Sequence, residues 1–307
     1  MPCLLRGTAS YGEGMEDDSV VIEQFRAAVD RRLAELLPDH DARPARLAEA
    51  ARYAVLSPGK RFRPMLTLLA AREFGAEPLM ALDAACAFEM VHAASLILDD
   101  LPSMDDADLR RGHPTTHQAF DEATAILAAV GLLNQAFGVI AGDPGLPDAA
   151  RADLLRRLSA SVGFQGLVSG QALDLHDRDH VRTPDDIDLL NHRKTGILMV
   201  AAAQAGALVA GAPAGAVTAV GEFARRLGLA FQIQDDLIDA AFIADSGKDL
   251  GKDAGMMTLV TALGPQEAAA AVGAHLEAAG AALARAGATG LLARYAFGLF
   301  EARKAAA

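Results

Sequence analysis

The stretch SLILDDLPSMDDADLRRG, residues 95–112, runs from apolar residues into five aspartates between positions 99 and 108 and closes on two arginines. Crowded carboxylates repel one another, and one member of such a pair is pushed toward protonation. A divalent cation relieves the repulsion; so does plain exposure to water. A second acidic cluster, FQIQDDLID at 231–239, helps to choose. There Asp235 and Asp239 stand at i and i+4 and share one helical face, with Asp236 beside them. In the first cluster Asp99 and Asp100 end a helical run, Pro102 weakens the helix, and the chain loops to offer Asp105 and Asp106 back toward them. Each segment is apolar until it reaches its aspartates, which is an odd place for a solvated face. Two carboxylate groups on separate helices make an all-oxygen site, and such ligands suit Mg²⁺, which commonly takes one or two carboxylates plus substrate phosphates. One such cluster is as readily a surface turn; two in one chain favour a metal.

The segments around these clusters read as helices. Apolar residues recur at three- and four-residue spacing along nearly the whole chain, and strand-like alternation is scarce. The spacing predicts helices over 25–37, 45–56, 64–75, 78–100, 115–141, 147–174, 184–210, 214–239 and 265–303. Pro38, the SPGK turn at 57–60, Gly75, Gly112–Pro114, GDPGLP at 142–147, RTP at 182–184 and GAPAG at 211–215 punctuate them. No Ser- or Gly-rich linker and no short repeat divides the chain, so one all-α bundle is expected. Two uncharged stretches, 125–142 and 197–221, have the length of membrane spans. Both are rich in Ala and Gly, and Pro213 interrupts the second, so they are read as helices buried on all sides, with no transmembrane segment.

Composition bounds the class. The 307 residues are 52% hydrophobic and 22% charged, enough for a sizeable core. A formal charge of −12 argues against nucleic acid, which needs a basic footprint, but not against a phosphorylated ligand, where local charge decides. Cys3 and Cys86 are too few for a disulfide framework, which fits a reduced, cytoplasmic setting. Residues 1–17 read as a mobile leader that is not a secretory signal, leaving 18–307 as a single domain.

A carboxylate–Mg²⁺ site for a phosphorylated substrate also needs cations. Three groups offer them: GKRFRP at 59–64, RRG at 110–112 and RKTG at 193–196. Arg gives planar two-point recognition of oxyanions and Lys a compact charge. Each alone is an ordinary surface charge; in company with two acidic clusters they gain weight. His92 lies seven residues before Asp99, two turns up the same helix, and reads equally as a core histidine or a diphosphate ligand. His40, His176 and His180 read as core histidines.

The motifs GKRFRP, DDLPSMDDADLRRGHPTTH, GQALDLH, KTG, FQIQDDLID and GKDLGKDAG occur in an order that resembles trans-isoprenyl diphosphate synthases, over about residues 45–265. With HAASLILDD and NHRKTGILM, the pattern is most similar to bacterial carotenoid-type geranylgeranyl diphosphate synthases. The resemblance implies an all-α bundle around a deep central cavity, three Mg²⁺ ions (Mn²⁺ as a substitute) and a homodimer. It assigns Asp99, Asp100 and Asp105 to metals carrying the allylic diphosphate, Asp235 to a third metal on the opposite wall, and Asp236 and Asp239 to its support. It places Lys60, Arg63, His92 and Arg111 at isopentenyl diphosphate, and Arg110, Lys194 and Lys248 at the allylic diphosphate. Thr195, Gln171 and Gln232 fall near the reacting carbons.

The family implies that the growing tail points away from the metals, along the helix before Asp99. Small residues at Ala94 and Ser95, where farnesyl synthases commonly carry an aromatic, leave room for one more five-carbon unit, with Val91 and Met90 closing the floor. A C20 product is therefore expected, with C15 the alternative. One position departs from the pattern: Met256 in GMMT stands where a lysine usually helps to hold the allylic diphosphate, and Lys252 lies four residues earlier. Rival readings are a terpene cyclase or head-to-head condensing enzyme, a non-catalytic regulatory subunit of a partner synthase, and a metal-binding scaffold without chemistry. The first has no need of GKRFRP and RRG together, and the last leaves the ordered basic motifs unexplained.

Overall fold

The computed structural model describes residues 13–39, 41–176, 180, 183–246, 258–288 and 290–306, without the side chains of 13–17, 239, 241–246 and 302–306. The fold is all-α, as expected. The helices are α1 (Glu13–Leu36), α2 (Ala45–Leu56), α3 (Phe62–Glu73), α4 (Leu82–Asp99), α5 (Thr116–Ala119), α6 (Glu122–Ala141), α7 (Asp148–Val162) and α8 (Leu167–His176). They continue as α9 (Pro184–Asn191), a π-helical turn (His192–Gly196), α10 (Ile197–Val209), α11 (Ala214–Ser246), α12 (Leu259–Leu263), α13 (Pro265–Ala286) and α14 (Leu291–Ala306). A 3₁₀ turn (Pro78–Ala81) leads into α4. The sole strands among the described residues form a two-residue antiparallel hairpin, β1 (Leu109–Arg110) with β2 (His113–Pro114).

Three helices form the interior. α3 is buried from Pro64 to Ala71, α4 along most of its length, and α10 at eight of its thirteen residues. Such helices are apolar on every side because every side meets another helix. α10 and α3 approach closely at Gly206, where a Cβ would lie 2.0 Å from the Thr67 carbonyl oxygen. Thr67 in turn donates its hydroxyl to the Ala202 carbonyl at 2.9 Å, satisfying the one hydroxyl in that contact. One core gathers Phe88, Met90, Leu132 and Leu154 between α4, α6 and α7. The other joins α11 to α13 and α14 through Phe223, Leu227, Leu283 and Leu292. Full burial of one such side chain is worth about 1.5–3 kcal/mol.

Four expected helices are broken. That over 115–141 stops at Phe120 and restarts because the Asp121 carboxylate accepts from the Thr124 N–H at 2.7 Å, an N-cap. That over 147–174 breaks at Gly163–Gly166. That over 184–210 widens into the π-helical turn. That over 265–303 ends at Gly287, whose φ of 73° is a left-handed C-cap. α1 begins at Glu13, inside the stretch read as leader.

The burial of the two uncharged stretches separates. α10 is interior as expected, but α6 is not buried on all sides: Ile126, Leu127 and Val130 are 42%, 58% and 56% exposed. The segments Pro78–Asp99 and Glu122–Ala141 are long and apolar enough to cross a membrane by length and composition. Two-thirds of the first is covered by the rest of the fold; α6 instead buries one face on α4 and presents the other outward. Periodicity does not separate those cases, because its outer face is apolar too. His176 and His180, read as core residues, are exposed.

Candidate active site

α4 delivers Asp99 at its last turn, and the chain then folds back on itself. The Asp105 N–H donates to the Asp99 carbonyl at 2.9 Å, and the Ala107 N–H to the Asp100 carbonyl at 3.2 Å. Asp106 takes a left-handed conformation (φ 49°), which Asp tolerates better than most residues. Asp105 is thereby returned to the end of α4, as the sequence predicted. The hairpin turns at Arg111 and Gly112 (φ 52° and 80°) and lays Arg110 over Asp100. Arg110 donates from Nε at 2.8 Å and from Nη2 at 2.5 Å to Asp100 Oδ1, and the carboxylate is 3% exposed. Among the described residues Asp99 has no such partner. Burial pushes its carboxyl up to about 6, Lys194 pulls it down, and the neighbouring charges of Asp105 and Asp100 add to the rise.

Lys194 comes from the π-helical turn, which is pressed between α8 and α11. A Cβ at Gly170 on α8 would lie 2.4 Å from the Lys194 backbone nitrogen, so only glycine permits that approach. One turn further along α8, the buried Asp174 carboxylate holds the Lys194 ammonium. Gln171 lies between them, and its Nε2 is buried without a hydrogen-bond partner among the described residues. Thr195 is half-buried on the same turn. π-helical turns of this kind are frequent at functional sites because the extra residue leaves backbone groups outside the regular ladder.

On α11, Gln232 donates to Asp236 at 3.1 Å, one turn apart, and Asp235 stands beside them, half-buried. The side chain of Asp239 and the residues Lys248, Lys252 and Met256, with all of GKDLGKDAG, lie outside the described residues.

The cationic residues form a separate pole. Arg63 is pushed down to about 10 by burial, with Glu89 holding its charge and Arg111 opposing it. Burial and the charges of Arg63, Arg111, Arg110 and Arg61 push the His92 imidazole well below its usual range, so it is neutral at pH 7. Arg111 reaches back to donate to the Pro58 carbonyl at 2.9 Å, tying the hairpin to the turn that carries Lys60. Lys60 itself is exposed. Thus Arg63, His92 and Arg111 come together from three segments, beside but distinct from Asp99, Asp105 and Lys194.

A family model, "Polyprenyl synthetase", matches residues 44–278. The chain belongs to the polyprenyl synthetase family. It is 48% identical over 259 residues to a geranylgeranyl diphosphate synthase of Pantoea ananas, covering 84% of this chain and 85% of that one. It is 42% identical over 239 residues to a farnesyl diphosphate synthase of Geobacillus stearothermophilus, covering 76% and 80%. Among solved structures, a geranyltransferase from Legionella pneumophila superposes with TM-score 0.83 at 29% identity, covering 96% of this chain and all of that one. An FPP/GFPP synthase from Zymomonas mobilis gives 0.80 at 35% identity, covering 91% and 98%.

Within this polyprenyl synthetase, sequence reading singled out most of the polar residues at the two poles but missed three. Asp174 stands within the quoted GQALDLH motif, and its spacing of four from Gly170 was the available signal. Arg61 and Glu89 form a buried ion pair at 3.1 Å, and no spacing in the sequence connects them. The positions read as a chain-length floor, Met90, Val91 and Ala94, are fully buried, and Ser95 donates its hydroxyl to the His92 carbonyl at 2.9 Å. No three His, Cys, Asp or Glu side chains among the described residues converge on one point. Of the three aspartates that the resemblance assigns to metal in the first cluster, Asp100 is held by Arg110, which leaves Asp99 and Asp105. That donor set fits Mg²⁺ held by one or two carboxylates and completed by water and phosphate, and the Asp99 carboxyl, raised chiefly by burial and further by Asp105 and Asp100, carries a charge penalty that such an ion relieves.

Proposed function

We propose that this polyprenyl synthetase is a trans-prenyltransferase that condenses isopentenyl diphosphate with an allylic diphosphate in a 1′–4 linkage, with geranylgeranyl diphosphate (C20) as the product. The observation that carries the reading is the pair of adjacent poles at the polar end of an apolar helix. Asp99, Asp105 and Lys194 form one; Arg63, His92 and Arg111 form the other, with Lys60 on the adjoining turn. Two diphosphates need two such sites. The C20 assignment draws support from small residues at 94 and 95 and from the similarity to the Pantoea ananas enzyme.

Asp99 and Asp105, with Asp235 on α11, would hold Mg²⁺, which when bound would supply positive charge to offset the charge of the departing allylic diphosphate. Lys194 and Arg110 add fixed positive charge on the same side. The C1–O bond breaks with its electron pair going to the diphosphate, leaving an allylic cation. The carbonyl of Lys194, the hydroxyl of Thr195 and the Gln232 amide are the dipoles assigned to face that cation, with Gln171 nearby. Apolar walls keep out the water that would quench it. The double bond of isopentenyl diphosphate, held by Lys60, Arg63, Arg111 and neutral His92, attacks C1, and the proton lost afterwards goes to the departed diphosphate. No side-chain nucleophile is required.

The outward apolar face of α6 supports a homodimer, because Ile126, Leu127 and Val130 form a contiguous helical stripe (i, i+1, i+4) without a cover. Leu127→Glu should shift the mass in light scattering toward the monomer; an unchanged mass would remove α6 from the interface.

The deciding experiment is a product assay. Purified protein, Mg²⁺ and labelled isopentenyl diphosphate are incubated with C5, C10 and C15 allylic primers, and the dephosphorylated alcohols are separated. A C20 alcohol is expected. A C15 alcohol would keep the reaction class and overturn the reading of Ala94. No Mg²⁺-dependent product from any primer would move the weight to a regulatory subunit.

A further inference from the structure

Arg61 sits between Lys60 and Arg63 in sequence, yet its guanidinium bonds to the protein's own carboxylates and backbone. It is 5% exposed and takes a left-handed backbone (φ 48°, ψ 39°), a strained conformation for a residue with a Cβ, immediately before α3 begins. Its guanidinium joins three segments. Nε donates to Asp30 on α1 at 2.6 Å, Nη1 to Glu89 on α4 at 3.1 Å, and Nη2 to the Ser57 carbonyl at the end of α2 at 3.1 Å. No side chain caps the α3 N-terminus; this clamp and the Arg111 bond to the Pro58 carbonyl hold the 57–61 turn against the bundle. Glu89 is 6% exposed and lies three residues before His92, one turn up the same helix. It is also the carboxylate that offsets the burial of Arg63. A buried carboxylate set beside Arg61 and Arg63 has no role in the condensation itself, because it cannot favour a diphosphate by contact.

On the reading of Lys60, Arg63 and Arg111 as the isopentenyl diphosphate pole, we infer that Glu89 is a positioning residue for that substrate. Through Arg61 it locks the strained turn, and so fixes where Lys60 and Arg63 present their charges. The alternative effect of Glu89 is simple repulsion of the diphosphate. The two effects have opposite signs, which makes the inference testable. If positioning dominates, losing the Glu89 charge loosens the turn and weakens binding; if repulsion dominates, the same change tightens it.

The test is steady-state kinetics of the full-length protein with each substrate varied separately. Glu89→Gln keeps the shape and removes the charge. The expected result is a rise of about tenfold in KM for isopentenyl diphosphate, with kcat and the allylic KM within about twofold of wild type. Asp30→Asn releases the outer arm of the clamp at a half-exposed site, where a folding failure is not expected, and should raise the same KM by about two- to threefold. Arg61→Lys keeps the charge but loses the three-way contact, so it should resemble Glu89→Gln. The double variant Arg61→Lys/Glu89→Gln should be no worse than either single, because both act through one clamp. A lowered KM for isopentenyl diphosphate, an equal rise in both KM values, or a fall in kcat alone would overturn the inference. An inactive wild type would instead overturn the proposed function, so the two failures are distinguishable.

Discussion

Replacing Asp99 with Asn should make the metal-free protein more stable while abolishing its response to Mg²⁺ and diphosphate. The Asp99 carboxyl is raised from 3.8 to about 6, chiefly by burial, with Asp105 and Asp100 adding to it. Between those two values the folded state holds a proton that the unfolded state has lost, so stability falls as pH rises and the loss is complete above about 6. The gap corresponds to about 3 kcal/mol at pH 7.5, about half that at pH 5 and less than about 1 kcal/mol near pH 4. Asn is never charged and escapes the penalty. Unfolding entropy near 2.1 cal/mol/K per residue gives roughly 0.6 kcal/mol/K for 307 residues. Asp99→Asn should therefore raise Tm by about 5 °C at pH 7.5 and by about half that at pH 5. Scanning calorimetry of metal-free protein at both pH values measures it, and a repeat with Mg²⁺ and pyrophosphate should stabilise only the wild type. A variant no more stable than wild type at pH 7.5, or a gain that fails to shrink on acidification, would refute the reasoning. The logic is that of a functional site: the protein accepts a local loss of stability so that an ion has something to relieve.

Other outcomes follow from the same geometry. Asp174→Asn removes the charge holding Lys194 and should raise the allylic KM about tenfold, the effect of one charge-assisted hydrogen bond, while KM for isopentenyl diphosphate stays put. Gly170→Ala drives a Cβ against the Lys194 backbone and should destabilise the fold by about 1–3 kcal/mol in urea unfolding, with kcat falling too. Met256→Lys restores the family's usual cation and should lower the allylic KM about tenfold; unchanged kinetics would remove the idea. Ala94→Phe should shorten the product from C20 to C15 in the primer assay, with the rate of the first condensation little changed.

How much was legible in the sequence varied with the distance over which the cause acts. Helix class followed from apolar spacing, a local property, and the fold-back of Asp105 toward Asp99 followed from Pro102 and the run of aspartates. The break before α6 was also local, since Asp121 is an N-cap residue, but the apolar run around it outweighed one capping signal. The π-helical turn was not legible. HRKTG has no composition that demands an extra residue per turn, and its shape depends on Gly170 from another helix. Nor could periodicity distinguish α6 from α10. Both are apolar around most of their circumference, and only the packing reveals that α10 lies among α3, α4 and α11 while α6 leaves Ile126, Leu127 and Val130 exposed.

The sequence by itself determined the residue types at the two poles, their order along the chain and the family they mark, because chemistry at a site is carried by short motifs. The tertiary structure decided which of those residues are already engaged. Asp100 belongs to Arg110 and Lys194 to Asp174, while the raised Asp99 carboxyl lacks a comparable arginine. It also decided that Arg61, in the middle of the GKRFRP motif, turns inward to Glu89 twenty-eight residues away. Pairings of that kind depend on which helices lie side by side, and no local pattern encodes them.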